Sequence, residues 1–312
     1  MMDGQNSPAG TPAISVVMPA YNHERFVGAA VESVLYQTHA DLELIVVDDG
    51  STDRTGEIVR AYADPRVHYH HQRNQDAYNA LNKGFALARG KFIAVLNSDD
   101  VYTPNRLERL LSVQRDTGAE FLFSDVTPMT DTGAAIEDPA FFWNVWHQGN
   151  REFYFRAGDL YTGFLHGNFM VTTSNLFLTR ALAERVGPFA PLRYLHDYDY
   201  LFRALLACNG NARYLHDEQL LFYRIHGSNT LSEAAITGRE QDQAVIRKYL
   251  LAKCPPESRR YVETGLDRLI ELERELQTVR AERAASAAAA PAPSPSLLRR
   301  VARRFRSRAR PA

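Results

Sequence analysis

The sequence of 312 residues has the length of one large domain or two small ones, enough to bury a substantial core. Its composition, 45% hydrophobic and 23% charged, is ordinary for a globular protein and excludes fibrous and fully disordered chains. Cys208 and Cys254 lack metal-type spacing and indicate a reducing compartment rather than a disulfide scaffold. The N-terminus lacks a signal-peptide pattern and no apolar run approaches the length of a membrane span, so we expect a cytoplasmic protein.

Charge is distributed unevenly along the chain. The net charge is −1, but residues 297–312 contain seven arginines and no acid, so residues 1–296 carry −8. In this basic tail, Leu298, Val301 and Phe305 form a narrow apolar stripe between the arginines. Such a pattern favours an amphipathic segment that binds an anionic membrane surface. A solvated tail is the simpler alternative, and nucleic acid is a less favoured partner.

From residue 13 to about residue 125, short apolar runs alternate with helical patterns, which predicts a parallel sheet flanked by helices. The predicted strands are 14–19, 42–47, 67–72 (weaker, and expected at an edge), 91–96 and 119–126. The predicted helices are 24–38, 51–63 with Ser51 or Thr52 as N-cap, 76–90 ended by Gly90, and 103–118 with Thr103 as N-cap.

Later segments have a different character. Residues 126–235 are less regular and more aromatic, with a helix beginning near residue 196. After residue 238, apolar positions recur at alternating steps of three and four: Val262, Gly265, Leu269, Leu272, Leu276 and Val279. This short heptad pattern predicts either a coiled coil over 262–279 that pairs two copies, or a helix that packs back on the domain. Residues 285–296, rich in Ala, Pro and Ser, read as a linker.

We therefore expect five parts in the chain. These are a disordered N-terminus (1–12), an α/β domain (13–235), a helical extension (236–284), the linker (285–296) and the basic amphipathic tail (297–312).

Two pairs of aspartates follow buried strands of the predicted sheet. Asp48 and Asp49 end the strand at 42–47, and Asp99 and Asp100 follow the strand at 91–96. One such pair is as well explained by a solvated loop, but two pairs point to a shared purpose. Since ligands of open α/β sheets bind outside the carboxyl ends of the strands, the pairs predict a site for a divalent cation and a polar ligand.

Two common nucleotide-binding patterns are absent. The turn after the first strand, PAYNHER, contains no glycine, whereas a dinucleotide site needs G-x-G-x-x-G there. Gly84 and Gly90 are separated by five residues rather than four, and Phe92 stands where a P-loop has Ser or Thr. Without a glycine cradle, the charge of a diphosphate needs a metal ion held on carboxylates, and Asp99 suits that purpose.

Five ordered stretches carry a resemblance to a known family: SVVMPAYNHERFVGAAVESVLYQT, ELIVVDDGSTDRT, ALNKGFALARGKFIAVLNSDDVYTPNRLERL, LHDYDYLFRAL and YRIHGSNTLS. Together they resemble family 2 glycosyltransferases of the GT-A fold over roughly residues 12–232. The resemblance implies a Rossmann-like, mostly parallel sheet flanked by helices, with a helical C-terminal extension. It further implies inverting transfer of a sugar from a nucleoside-diphosphate sugar, with a UDP-sugar favoured, to a saccharide or lipid-linked acceptor hydroxyl.

The same resemblance implies a divalent cation, Mn²⁺ or Mg²⁺, and a part in bacterial surface polysaccharide or glycolipid synthesis at the cytoplasmic face of the membrane. It assigns site residues one by one. Pro19, Ala20 and Tyr21 would seat the nucleobase with Glu24 in the same loop, Asp49 would accept from the base, and Asn97, Ser98 and Asp99 occupy the DxD position, with Asp99 as metal ligand. Asn97 replaces the family's first acid, so it can bond a ribose hydroxyl but brings no charge.

On the acceptor side, the resemblance makes Asp197 the catalytic base, with an N-cap as the structural alternative and Asp199 as the competing acid. His226 would bind the metal or diphosphate, although a lone histidine is more often structural. Lys83 lies either near the diphosphate or on an exposed helix face.

The aromatic segment and the general class of protein leave further choices open. Phe141, Phe142, Trp143, Trp146 and His147 either stack on sugar rings or pack as core. A nucleotidyltransferase would need a basic phosphate-binding loop after the first strand, and PAYNHER is not one. A non-catalytic nucleotide-sugar-binding scaffold stays open because Asn97 and His196 depart from the family's acids.

Overall fold

A computed structural model describes residues 10–227 and 237–289. Residues 1–9 and 228–236, residues 290–296 of the predicted linker and the basic tail lie outside the described residues, so the expectations for them stay predictions. Residues 285–289, predicted as the start of the linker, belong instead to the last helix, which ends at Ala289. The elements are, in order, β1 (Ile14–Ala20), α1 (Val27–Leu35), β2 (Leu42–Asp48), α2 (Thr55–Arg60), β3 (Val67–His71), α3 (Ala77–Leu87), β4 (Phe92–Val95), β5 (Val101–Tyr102), α4 (Arg106–Thr117), β6 (Phe121–Met129), α5 (Phe142–Ala157), α6 (Leu160–His166), β7 (Phe177–Thr179), α7 (Arg180–Val186), α8 (His196–Ala207), β8 (Ala212–Arg224), α9 (Thr237–Ala252) and α10 (Pro256–Ala289). A single 3-10 turn, Thr173–Asn175, precedes β7.

The described strands form one sheet in the order β3-β2-β1-β4-β7-β6-β8-β5. Strands β1 to β4 are mutually parallel where they pair, β6 pairs in parallel with β8, and β7 and β5 run antiparallel to their neighbours. The mostly parallel sheet is therefore confirmed, and β3 lies at its edge as predicted.

Helices cover both faces of this sheet, which explains why β1, β2 and β4 are buried at every position and mostly apolar. Successive residues of a strand point to opposite faces. Val17 and Ile45 accordingly belong to one buried cluster, and Val16 and Leu44 belong to the other. The carboxyl ends of β1, β2 and β4 consequently meet at one edge of the sheet, where their loops are free to build a site.

The predicted N-cap of α2 is wrong by several residues, for a reason that bears on the site. The helix begins at Thr55 because Ser51 and Thr52 bond to the loop after β1 instead. The backbone N–H of Asn22 donates to Ser51 Oγ at 3.0 Å, and the Asn22 side-chain oxygen accepts from the Thr52 N–H at 2.8 Å. These bonds fasten the loops after β1 and β2 to each other.

Two further helix limits differ from the prediction. Helix α3 ends at Leu87, before Gly90, which is needed instead for a close approach. A Cβ atom at Gly90 would lie 2.5 Å from the backbone nitrogen of Ser15 in β1. Helix α4 begins at Arg106, and the Thr103 hydroxyl donates to the Asn105 side chain at 3.0 Å rather than capping the helix.

The contacts divide the chain into two compact units, residues 1–249 and 250–312, and the site lies in the first. In the second unit, the long helix α10 leaves Leu269 64%, Leu272 43% and Leu276 48% exposed. Among the described residues, no helix combines the length and apolarity needed to cross a membrane.

Candidate active site

The loops after β1 and β2 lie side by side and carry the residues predicted to hold a nucleobase. The backbone N–H of Asp49 donates to the carbonyl of Ala20 at 2.8 Å. Pro19 and Ala20 are buried, while the Tyr21 side chain is 45% exposed and available for stacking. Pro19, Ala20, Tyr21 and Asp49 therefore lie together at the carboxyl ends of β1 and β2.

The acids of the first pair have different surroundings. Asp48 accepts from the Tyr69 hydroxyl at 2.5 Å and holds β3 against β2. Asp49 accepts from the Gln72 side chain at 2.8 Å and from the Gln75 N–H at 3.0 Å, both through Oδ1. Burial raises the pKa of Asp49, an effect that these two bonds oppose. Of the two acids, Asp49 is the one whose backbone N–H bonds to Ala20 at the end of β1.

Two other predicted donor-site residues make contacts that do not involve Asp99. Glu24 accepts from the backbone and side chain of Arg54 at 3.1 and 3.3 Å, and this ion pair is exposed. The Lys83 ammonium group donates to the carbonyl of His71 at 3.2 Å, at the end of β3. Lys83 is therefore a half-buried helix lysine beside the end of β3, and its diphosphate contact stays a prediction.

The loops after β1, β4 and β8 bring two imidazoles to Asp99. His226 Nε2 lies 3.0 Å from Asp99 Oδ2, and His23 Nε2 lies 4.0 Å from the same oxygen. His23 Nδ1 is 2.8 Å from Ser98 Oγ. Burial raises the pKa of Asp99, but the two imidazoles lower it more, so its pKa lies below the usual range. The predicted neighbours Ser98, Asp99 and His226 are thus in contact, with His23 as an additional member.

These side chains fit a divalent cation. His23, Asp99 and His226 each offer one ligand atom, and the three atoms lie within 4.8 Å of one another. Ligands about 2.1 Å from one ion lie roughly 3 Å apart when adjacent and roughly 4 Å apart when opposite. The observed separations of 3.0 and 4.0 Å from Asp99 Oδ2 are compatible with that arrangement.

Asp100, the residue after Asp99, is fully buried and bonds to the elements that pack against the Asp99 loop. Its carboxylate accepts from the Ser174 hydroxyl at 2.6 Å and from the Arg224 N–H at 3.0 Å. Burial and the adjacent charge of Asp99 raise the pKa of Asp100 well above its usual value. The Asn97 amide donates to the Thr172 hydroxyl at 3.0 Å. Strand β8 and the 3-10 turn therefore hold this loop in place.

Helix α8 supplies the candidate base and its competitor, and their environments differ sharply. Asp197 is 9% exposed and accepts from the Tyr198 N–H at 2.8 Å. Burial raises the pKa of Asp197, with a smaller opposing effect from His196. Asp199 instead accepts from Arg203, Lys248 and Tyr249, at 2.8, 2.7 and 2.7 Å.

These bonds explain the opposite behaviour of the two carboxylates. Burial alone would raise the pKa of Asp199, but its bonds to Lys248, Tyr249 and Arg203 lower it. Asp199 is therefore an ion-paired structural group that joins α8 to α9. Asp197 is the acid of this helix that is available to accept a proton.

Tyr223, near the end of β8, is a buried tyrosine whose pKa is affected by the carboxylates of the Asp99 loop and by Asp197. Burial raises the pKa of its phenol strongly, and the charges of Asp100, Asp99 and Asp197 raise it further. One aromatic ring thus lies in the field of all three carboxylates. The Tyr223 ring also stacks on Trp143 with centroids 6.2 Å apart. This contact packs α5 against β8.

The aromatic segment at the start of α5 divides between the two predicted uses. Trp143 and His147 are 7% and 6% exposed and stack on each other, as core residues do. Phe142 and Trp146 are 70% and 45% exposed and remain candidates for acceptor contact. Phe141 is half-buried and stays beside the core.

Sequence reasoning missed two members of the site, His23 and Tyr223. Both lie within quoted family-like stretches, PAYNHER and YRIHGSN, but each reads there as an unremarkable polar residue. His23 contacts Ser98, which is 75 residues away along the chain, and Tyr223 stacks on Trp143 of α5. Only the arrangement of strands in the sheet makes them neighbours.

Comparisons with known proteins identify the class of protein to which this sheet and its edge cluster belong. Residues 15–178 match the profile described as Glycosyl transferase family 2. An uncharacterized glycosyltransferase of Nostoc sp. is 32% identical over 235 residues, or 73% of this chain and 70% of the relative.

Two solved structures share the fold. One is S. aureus TarS 1-349 in complex with UDP-GlcNAc, with a TM-score of 0.60, 19% identity and coverage of 79% of this chain and 69% of that one. The other is a mannosyltransferase from Pyrobaculum calidifontis in complex with GDP-Man and Mn²⁺, with a TM-score of 0.60, 20% identity and coverage of 94% and 80%. The chain belongs to glycosyltransferase family 2 and is a glycosyltransferase of the GT-A fold.

Proposed function

We propose that this enzyme transfers a sugar, with inversion, from a nucleoside-diphosphate sugar to an acceptor hydroxyl, and that a UDP-sugar is the favoured donor. The observation that carries the proposal is the cation-type cluster of His23, Asp99 and His226 in the loops at the carboxyl edge of the sheet, together with the buried carboxylate of Asp197 on α8. Transfer needs both: a place for the departing diphosphate and a base for the incoming hydroxyl.

The donor half of the proposal rests on the loops after β1, β2 and β4. Tyr21 offers an exposed ring for stacking on a base, and Asp49 beside it is acceptor-only when ionised, which suits a base N–H. Two solved structures that share this fold contain UDP-GlcNAc and GDP-Man, which supports a nucleoside-diphosphate sugar as the donor of this chain.

The acceptor half rests on Asp197. In the proposed step, Asp197 accepts the proton of the acceptor hydroxyl while its oxygen bonds to the anomeric carbon, and the bond from that carbon to the diphosphate oxygen breaks on the opposite face. Burial raises the pKa of Asp197, which makes it a stronger base than an exposed aspartate.

A divalent cation, when bound at His23, Asp99 and His226, supplies positive charge for the leaving diphosphate. The chain's own residues orient the groups around it. Ser98 fixes the His23 ring through the 2.8 Å contact to Nδ1, and Arg224 donates to the Asp99 carbonyl at 2.7 Å. These contacts hold Asp99 in one position relative to Asp197.

The experiment is a transfer assay with a panel of UDP-, GDP- and dTDP-sugars, combined with donor binding measured by calorimetry. Asp197→Asn should keep donor affinity and lose transfer by at least about 10³-fold, because only the proton acceptor is removed. Glu184→Gln, at an exposed ion pair with Arg180, serves as a control for general surface changes. Equal transfer by wild type and Asp197→Asn would refute the assignment of the base, and a protein that binds donors without any transfer would favour a scaffold.

We further propose that the acceptor is a saccharide or lipid-linked saccharide of the bacterial surface, met at the cytoplasmic face of the membrane. The exposed Phe142 and Trp146 beside the site support a sugar-binding surface, since aromatic faces stack on apolar sugar faces. The arginine-rich residues 297–312 support attraction to anionic lipid. Removing residues 297–312 should weaken binding to anionic vesicles and leave transfer to a soluble acceptor unchanged.

Helix α10 supports a homodimer through 262–279, and its charges favour the parallel arrangement. With Val262 at heptad position a, Arg268 and Glu275 take g positions, and Glu273 and Arg280 take e positions. In a parallel, in-register pair, Arg268 faces Glu273 of the second copy and Glu275 faces Arg280 of the second copy. Both pairs attract, and the exposed leucines between them become buried.

A further inference from the structure

The buried segment 169–175 contacts the loop of Asp99 on one side and, through Phe164, helix α8 on the other. We propose that a strained backbone turn at Val171 in this segment fixes the position of the Asp99 loop relative to Asp197. Val171 and Thr172 are then positioning residues for sugar transfer. The proposal rests on the proposed function for the use of Asp197 as the base.

Val171 has a backbone conformation that β-branched residues rarely adopt. Its φ angle is +77°, and the residue is only 9% exposed. The N–H of Thr172 donates to the carbonyl of Met170 at 3.0 Å, which closes a γ-turn with Val171 at its centre. A positive φ in a β-branched residue is strained, and such strain persists only where the surrounding contacts hold the backbone. The contacts around Val171 therefore have to maintain this turn.

On one side of the turn, hydroxyl groups join the segment to the loop of Asp99. The Thr172 hydroxyl accepts from the Asn97 side-chain amide at 3.0 Å, and the Ser174 hydroxyl accepts from the Asn97 N–H at 2.9 Å. The Ser174 hydroxyl in turn donates to the Asp100 carboxylate at 2.6 Å. Because Thr172 directly follows the centre of the γ-turn, the turn determines where its hydroxyl lies. The segment thus holds the residues on both sides of Asp99.

A buried arginine holds the end of the segment. Arg106 is fully buried, and its guanidinium donates to the Asn175 side-chain oxygen at 3.0 Å and to the Ser124 hydroxyl at 2.8 Å. The Asn175 amide donates back to the carbonyl of Met170 at 3.1 Å. Since a buried guanidinium is costly when its N–H groups lose their partners, these bonds restrain Asn175. The backbone is therefore held on both sides of the γ-turn.

On the other side, the segment contacts the helix of the candidate base. The Phe169 ring stacks on the Phe164 ring with centroids 4.1 Å apart, and the Tyr198 hydroxyl donates to the Phe164 carbonyl. Tyr198 directly follows Asp197, whose carboxylate accepts from the Tyr198 N–H at 2.8 Å. A displaced segment would therefore change the position of Asp99 relative to Asp197. Misplacement of reacting groups by about 1 Å lowers a rate by about 10²-fold.

The first test compares the stability of Val171→Gly and Val171→Ala in the full-length protein. Both variants lose buried methyl groups, but only glycine adopts a positive φ without strain. We expect Val171→Gly to have the higher Tm, by about 2–4 °C. Val34, buried in helix α1, supplies the matched control pair. There the order should be reversed, with Val34→Ala more stable than Val34→Gly.

The second test measures positioning. Hydrogen exchange by mass spectrometry should be faster over residues 97–100 in Val171→Gly than in Val171→Ala, because the turn is no longer restrained. With the best donor among UDP-, GDP- and dTDP-sugars, kcat of Val171→Gly should be at least about tenfold lower than that of Val171→Ala. Affinity for the matching nucleoside diphosphate should stay within about threefold, since the donor-binding side chains remain. The more stable variant is thus expected to be the less active one.

Thr172→Val gives an independent variant, because it keeps the β-branched shape and removes the hydroxyl that bonds to Asn97. It should also accelerate exchange over residues 97–100 and lower kcat, with nucleoside diphosphate affinity retained. The two control variants at Val34 should change neither exchange over residues 97–100 nor kcat. If Val171→Gly fails to fold while Val171→Ala folds, the strain at Val171 is refuted, and Thr172→Val then tests the positioning.

Three results would overturn the proposal. These are a Val171→Gly protein that is less stable than Val171→Ala, unchanged exchange over residues 97–100 in both Val171→Gly and Thr172→Val, and a kcat that falls in parallel with Tm across the variants. The last result would indicate a purely structural role. Transfer that survives Asp197→Asn, or a wild type without transfer, would refute the proposed function, and the exchange of residues 97–100 would then decide the positioning of the loop on its own.

Discussion

Two aspartates on one turn of α8 should respond in opposite ways to the same isosteric change. Asp199 has a side chain only 2% exposed and binds Arg203, Tyr249 and Lys248. Asp199→Asn removes the charge and turns an acceptor into a donor facing Arg203. Charge-assisted bonds contribute roughly 1.5–3 kcal/mol each, and the bond to Lys248 less, because that side chain is 58% exposed.

The expected loss for Asp199→Asn is therefore about 3–5 kcal/mol of unfolding free energy, the range for one missing member of a buried ion pair. At roughly 2–4 °C per kcal/mol for a domain of this size, Tm should fall by about 10 °C. Asp197→Asn should keep Tm or raise it slightly, because burial already disfavours its charge. Differential scanning fluorimetry and a transfer assay on both variants provide the measurement.

The pH dependence adds a check on Asp199. Its folded-state pKa is lowered, so its stabilising effect is present above the unfolded value of about 4 and is lost as pH falls through the folded value. The difference in stability between wild type and Asp199→Asn should accordingly shrink below about pH 4. An Asp199→Asn protein with wild-type Tm at pH 7 and no transfer would refute the division of labour between the two acids.

Three further outcomes follow from the structure. The raised pKa of Asp197 should place the acid limb of the kcat–pH profile above about pH 4, the usual aspartate range, and a limb at or below that value would contradict its use as base. Gly90→Ala should destabilise by about 1–3 kcal/mol in chemical denaturation, because its Cβ would meet the backbone of β1, while Gly149→Ala, in open space on α5, should not destabilise. Leu272→Lys should convert the expected dimer to monomer in sedimentation velocity, whereas Glu271→Lys, outside the stripe, should not; a wild-type monomer would refute the coiled coil.

The fold was predictable from sequence because its central strands are buried on both faces and read as continuous apolar runs. The alternation of such runs with helical patterns leaves few topologies, and the mostly parallel sheet was confirmed. The helix limits were less predictable, because Ser51 and Thr52 bond to Asn22 in the loop after β1 instead of capping the helix that follows them. A local sequence pattern does not show such a bond to a distant loop.

The candidate site was predictable in part for the same reason. The two aspartate pairs predicted a site at the carboxyl edge of the sheet, where the structure places the cluster of His23, Asp99 and His226, but the sequence did not indicate which member of each pair bonds to neighbouring elements. The structure shows that Asp48 and Asp100 hold neighbouring elements, which leaves Asp49 and Asp99 for the site. The spacing of residues in the sequence could not reveal His23 as a site residue, because Ser98 and Asp99, which it contacts, lie in the loop after β4.

The separation of the metal-type ligands along the chain has a consequence for synthesis of the protein. His226 stands 127 residues beyond Asp99, so a ribosome delivers the closing ligand only after nearly the whole α/β domain has emerged. A nascent or proteolysed chain that ends shortly before residue 226 contains both aspartate pairs and the nucleobase loop after β1, yet it lacks His226. Such a chain has two of the three side chains of this cluster and is missing the third.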